Sequence, residues 1–192
     1  MSKGVANRER IVEAARELFY RQGYSSTSFT EIAQAARIPR GNFYYYFKTK
    51  EEILGGVVHS RLVELQNQFM KWDCSLSSPR ERLMQFIALP LQDEHNIVHY
   101  GCPLGTLNTE MGKFHNGPRS KAVVLFDEVI EWLCSQFEAL GCVDEPRMLA
   151  MHLFGRLQGA VILCNALRDT SYLHYEQDQL NIWVKSLSLD CP

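Results

Sequence analysis

The 192-residue chain lacks the parts from which several kinds of protein are built. No apolar run approaches the roughly 20 residues needed to cross a bilayer. The opening Met-Ser-Lys-Gly-Val-Ala-Asn-Arg-Glu-Arg has no apolar core of the kind a secretory signal carries, so a cytoplasmic protein is expected. There is no Gly-rich phosphate loop, no His-Glu-x-x-His and no Gly-x-Ser-x-Gly, which argues against nucleotide, zinc-hydrolase and serine-hydrolase chemistry. No enzyme is expected, with no catalytic residue, no cofactor and no metal. The six cysteines (Cys74, Cys102, Cys134, Cys142, Cys164 and Cys191) contain no Cys-x-x-Cys pair and read as reduced thiols, several buried as small hydrophobes. No segment alternates convincingly as a strand, and repeats and low-complexity tracts are missing. An all-α protein is the expectation.

What is present is a charge asymmetry and one informative stretch. Residues 1–50 hold nine Lys/Arg against four Asp/Glu, whereas the remainder holds eleven against eighteen. A basic N-terminal quarter on an acidic body suits a polyanion reader joined to a partner or ligand domain. Within that quarter, residues 28–50 read as two short helices split by a turn at Arg37–Pro39. Ser28 and Glu31 form a capping box, and Ile32, Ala33 and Ala36 give a narrow apolar face. The second helix starts at Pro39, whose fixed φ suits a first turn. Phe43 and Phe47 point inward at i and i+4, leaving Arg40, Gly41, Asn42, Tyr44 and Tyr45 outward. This is the pattern of a helix-turn-helix presenting its recognition helix to a major groove. Pro39 supplies no side-chain cap.

Other helices follow from periodicity. Residues 7–23 carry Ile11, Ala14, Ala15, Leu18 and Phe19 on one face, with Gly23 as the stop. Thr49 and Glu52 cap a long helix from Lys50 to Trp72, a single rod from the head into the body. Its Gly55-Gly56 marks either close packing against another helix or a flex point. Ser78 and Pro79 open a helix that Pro90 ends, and residues 91–100 are expected to be a loop or frayed turn. Helices are then expected from Cys102-Pro103 to Phe114, from Pro118 to Leu140, from 146 to 168, and from 175 to 187. The total is about nine.

Residues 7–54 resemble the N-terminal domain of the TetR family of bacterial transcriptional regulators. The likeness rests on Ile11, Ala14, Ala15, Leu18, Phe19, Gly23-Tyr24, Ser28, Ile32, Ala33 and the run Gly41-Asn42-Phe43-Tyr44-Tyr45-Tyr46-Phe47-Lys48-Thr49-Lys50. It implies a DNA-binding domain over 1–50 and an effector-binding and dimerisation domain over 51–192. It also implies a homodimer on a palindromic operator, paired through helices 146–168 and 175–187, and most simply a repressor. By the same resemblance the DNA contacts fall on Ser28, Thr30, Arg40, Gly41, Asn42, Tyr44, Tyr45, Tyr46, Lys48 and Lys50. Arg40 suits a guanine edge or a phosphate, and Asn42 suits adenine. The effector pocket falls among Phe69, Trp72, Phe86, Cys102, Met111, Phe114, Phe126, Trp132 and Phe154, each of which can equally be core.

The segment Tyr100-Gly101-Cys102-Pro103-Leu104-Gly105 resembles a body-domain signature of a TetR subgroup, some of whose members sense electrophiles through a cysteine. Independently, Pro103 puts Cys102 at a helix N-terminus, where free amides stabilise a thiolate, and His99 stands three residues before it. Effector binding or thiol modification at Cys102 would then release the DNA. Against this stand a packed thiol, a His95–His99–Cys102 metal site that Gly101 and Pro103 disfavour, a thiol enzyme using Cys102 with His99, and a head that binds protein instead of DNA.

Overall fold

In the computed structural model, residues 3–113 and 119–187 are described, and among them every regular element is a helix. Eleven helices follow in order: α1 Lys3–Gln22, α2 Phe29–Ala35, α3 Arg40–Tyr46, α4 Lys50–Ser75, α5 Pro79–Ile87, α6 Leu89–Gln92, α7 Glu94–Tyr100, α8 Pro103–Met111, α9 Arg119–Ala139, α10 Pro146–Leu167 and α11 Ser171–Ser186. The chain divides into two compact units, Met1–Glu64 with Thr106–Leu125, and Leu65–Gly105 with Phe126–Pro192.

The first unit carries the helix-turn-helix. α1 buries Ile11, Val12, Ala15 and Phe19, α2 buries Ile32 and Ala33, and α3 buries Phe43. α4 passes through Gly55-Gly56 without interruption. A methyl on Gly56 would stand 2.9 Å from Val12 Cγ2, so this glycine is a close-packing position against α1. Gly55 has open space in the same place.

In the second unit an aromatic and aliphatic core joins Phe69 and Trp72 of α4, Leu83, Phe86 and Ile87 of α5, Trp132, Leu133 and Phe137 of α9, Leu153, Phe154 and Leu157 of α10, and Leu180 and Val184 of α11. A smaller cluster gathers Ile97 of α7 with Ala160, Val161, Cys164 and Leu173. Asp73 of α4 ties α9 to one edge of the larger core: it accepts from Trp132 Nε1 at 3.2 Å and Gln136 Nε2 at 3.4 Å, beside Arg82.

Several sequence expectations need correction. Residues 91–100 are not a loop: Leu91 and Gln92 close α6, and after a turn at Asp93 residues 94–100 form α7, because Ile97 and Val98 find apolar cover against α10 and Asn96 bonds Asp93 at 2.8 Å. Pro90 does not end a helix; it occupies the first turn of α6, where its missing N–H is harmless. The last helix begins at Ser171, since Asp169 accepts from both the backbone N–H and the hydroxyl of Ser171 and starts the turn four residues early. Phe114 and Pro118, the expected end of one helix and start of the next, lie outside the described residues.

Candidate nucleic-acid interface

The recognition segment is assembled from local chemistry. Ser28 Oγ accepts from the Glu31 N–H at 3.2 Å, and the Glu31 carboxylate accepts from the Ser28 N–H at 2.8 Å, so both halves of the capping box form. Ser28 hydrogen bonding, with help from Gln22, holds the Glu31 carboxyl below the usual carboxylate range. The turn into α3 places Arg37 at φ 54°, the left-handed region that a side chain resists. Arg10 of α1 compensates by donating to the carbonyls of Ala36 at 2.5 Å and Arg37 at 3.4 Å. Pro39 is the N-cap of α3 and supplies no side-chain bond.

α3 has a fixed inner face and an open outer one. Phe43 and Phe47 are 1 % and 2 % exposed, whereas Tyr44 and Tyr45 are 43 % and 80 % exposed. Gly41 and Asn42 are exposed as well. Tyr44 lies parallel to Phe29, ring centroids 5.9 Å apart, and is presented as a flat plate. Among the described residues, apart from its chain neighbours and its own helix backbone, nothing lies within 4 Å of where a Gly41 Cβ would be, so packing does not ask for glycine there. Ser28 and Thr30 are exposed at the start of α2. The Arg40 backbone opens α3, and its side chain lies outside the described residues.

Three of the cations and phenols named from the sequence are engaged with the protein. Tyr46 accepts from Asn7 Nδ2 at 3.0 Å. Lys48 is exposed, and its Nζ donates to the Tyr44 carbonyl at 2.5 Å. Lys50 turns its ammonium onto the carbonyls of Tyr24 at 2.8 Å, Ser25 at 3.4 Å and Thr27 at 3.0 Å, and over the Tyr24 ring at 4.3 Å. Asn7 and Arg10, with Arg8 stacked 4.9 Å over the Phe47 ring, make α1 a bracket for the recognition helix. The periodicity of α1 marks only its apolar face, so these polar residues left no sequence signal beyond the basic balance of the segment.

Residues 11–57 match the family description "Bacterial regulatory proteins, tetR family". The chain is 44% identical over 164 residues to the HTH-type transcriptional regulator AcrR of Shigella flexneri, covering 79% of this chain and 75% of that protein. It is 32% identical over 170 residues to the transcriptional regulator AcuR of Cereibacter sphaeroides, covering 80% and 74%. The chain belongs to the TetR family. The fold agrees with that of a TetR-family transcriptional regulator from Cytophaga hutchinsonii, with a TM-score of 0.84 at 18% identity over 98% of each chain. As a TetR-family protein it is a DNA-binding transcriptional regulator and not an enzyme. No helix of the described residues is long and apolar enough to cross a membrane.

Several of the residues that the TetR resemblance assigned to an effector pocket share one core. Phe69, Trp72, Phe86 and Phe154 share the larger core of the second unit with Trp132, and Phe126 packs against it. Their rings cover one another: Phe69 stacks on Trp132 at 4.3 Å, and Phe126 meets Phe154 edge-on at 4.9 Å. Met111 is fully buried in the first unit, and Cys102 packs against the smaller cluster of the second.

Cys102 follows Gly101, whose φ of 75° breaks the chain away from α7. Its Sγ accepts from the Gly105 N–H at 3.4 Å and from Gln158 Nε2 at 3.3 Å. His99 turns its Nδ1 onto the His95 carbonyl at 2.7 Å. Gly101 thus prevents His95, His99 and Cys102 from sharing one helix face, and no group of three metal-binding side chains converges among the described residues. Burial pushes the thiols of Cys134 and Cys164 up, with nearby carboxylates adding to the effect.

Proposed function

We propose that this TetR-family protein is a homodimeric repressor, gripping a palindromic operator through residues 1–50 and released by events within residues 51–192. The observation that carries this reading is the outer face of α3, where Gly41, Asn42, Tyr44 and Tyr45 are exposed above the buried Phe43 and Phe47. Asn42 can pair with an adenine edge, the phenols suit phosphates and thymine methyls, and an arginine at position 40 suits a guanine edge or a phosphate. Ser28 and Thr30 meet the backbone at the start of α2, and Lys48 adds a point charge. Gly41 admits a sugar-phosphate chain close to the helix backbone. Tyr46 and Lys50, held by Asn7 and the loop carbonyls, contribute by position.

Dimerisation through residues 146–168 and 175–187 is supported by an apolar face. Met148, Met151, Ile162, Leu163 and Leu167 of α10 and Tyr172, Tyr175 and Ile182 of α11 are all exposed. An apolar area of this kind marks an interaction site, and a second copy covers it with a self-complementary contact. On this face a cavity of about 470 Å³ is bordered by Ile162, Leu163, Tyr172 and the Arg156–Glu176 ion pair. Two heads one helical turn apart then read the two halves of an inverted repeat.

Release follows from differential binding: an effector must prefer the spacing that cannot hold DNA. The aromatic core around Phe69, Trp72, Phe86, Phe126 and Phe154 suits an apolar effector. Cys102 suits a modifying electrophile, since an amide and Gln158 already donate to its sulfur. The working place of such a protein is the cytoplasm.

The test is selection of duplexes from a random DNA pool, followed by titration at fixed salt. An inverted repeat is expected, and Tyr45→Ala should weaken its binding by about 1–3 kcal/mol without altering the melting temperature. Unchanged affinity in the variant rejects the assignment of α3, and selected sequences without two-fold symmetry reject the dimer.

A further inference from the structure

The loop between α1 and α2 is held by two opposite charges that come from elsewhere in the chain. Glu110, on α8, accepts from the Tyr24 N–H at 2.8 Å and the Ser25 N–H at 2.6 Å, one bond to each carboxylate oxygen. Lys50, at the start of α4, donates to the carbonyls of the same Tyr24 and Ser25 and of Thr27. The donor edge and the acceptor edge of one short loop are therefore gripped separately. Gly23 belongs to the arrangement: its φ is 89°, and a Cβ there would sit 3.2 Å from a Glu110 oxygen. Thr27, 2 % exposed, closes the loop by donating its hydroxyl to the Gly23 carbonyl at 2.7 Å. The next residue is Ser28, the N-cap from which α2 departs.

We infer that Glu110 and Lys50 form a clamp that sets where α2 begins, making both of them positioning residues for DNA binding. This rests on the DNA-reading role proposed for α3, whose place follows from α2 through a turn of four residues. Charged partners make stronger and more directional bonds than neutral ones, which suits them to fixing a loop. Burial pushes the Glu110 carboxyl up, but the amides of Ser25 and Tyr24 and the charge of Lys50 outweigh it and leave the group below the usual carboxylate range. Lys50 is thereby reassigned: its ammonium serves the loop and not a phosphate.

The experiment compares the full-length wild type with Glu110→Gln and Lys50→Met, both close to the native shape. Binding to the duplex selected by the wild type is titrated over a range of salt, and amide exchange of residues 23–29 is followed without DNA. Glu110→Gln should accelerate exchange at Tyr24 and Ser25 and weaken binding on the order of tenfold, the usual effect of losing a charged hydrogen bond. Lys50→Met should weaken binding with an unchanged salt slope, because no phosphate contact is removed. A slope that falls by about one unit in Lys50→Met would identify Lys50 as a phosphate contact and overturn the clamp. Affinity within twofold of wild type in Glu110→Gln, with unaltered exchange, would overturn it too. If the wild type selects no duplex, the DNA-reading role of α3 fails, and exchange at Tyr24 and Ser25 still decides whether the two charges hold the loop.

Discussion

The adjacent glycines of α4 should respond to alanine with opposite signs. In a helix interior, Gly→Ala contributes about 1 kcal/mol from backbone entropy and propensity alone. At Gly55 no described atom beyond its chain neighbours and its own helix backbone lies within 4 Å of the added methyl, so that gain is expected in full. For a chain of this size it corresponds to roughly 2–4 °C in melting temperature. At Gly56 the same methyl stands 2.9 Å from Val12 Cγ2, well inside van der Waals contact. Val12 cannot easily yield: it is β-branched on a helix, which restricts χ1, and it is 7 % exposed. Overpacking of this kind costs about 1–3 kcal/mol, which cancels or exceeds the propensity gain. Gly56→Ala should therefore lie about 1–3 kcal/mol below Gly55→Ala in a guanidinium titration. Combining it with Val12→Ala should recover a coupling of at least ~0.5 kcal/mol in a double-mutant cycle. Equal stabilisation by the two alanines, or zero coupling to Val12, would refute the packing argument and reopen Gly55-Gly56 as a flex point.

Two further outcomes can be checked. Arg37→Gly should stabilise the head by roughly 0.5–1 kcal/mol in thermal melts, since relief of the left-handed strain exceeds the added chain entropy and the Arg10 bonds go to backbone carbonyls. Glu31 and Glu110 both titrate below their ordinary range when folded, so they contribute stability above that range that disappears as pH falls through their folded values. Melts repeated downward from neutral pH should lose stability below about pH 4, and Glu31→Gln with Glu110→Gln should flatten that slope.

How much could be read in the sequence followed the range of the interactions. Ser28 with Glu31, and Phe43 with Phe47, sit three or four residues apart, so the helix-turn-helix and its inner and outer faces were legible. The all-helical class was legible for the same reason. Residues 91–100 misled because Pro90 and Gly101 look like breakers, whereas the cover that makes 94–100 a helix comes from α10, some sixty residues on. Glu110 gave no sign at all: its partners are backbone amides 85 and 86 residues away, which leave no side-chain pattern to match. The aromatics of the body could be recognised as a group, but whether they line a space or fill it depends on ring geometry, such as the Phe69–Trp132 stack.

Gly41 shows how far folding and reading can pull apart. Its empty surroundings mean that alanine there would make a sturdier helix, and a designer seeking heat resistance would choose it first. If a nucleotide strand occupies that vacancy, the hardier molecule would be the worse reader. The missing methyl is then a reserve of robustness left unclaimed, so that something other than the protein can lie against the backbone.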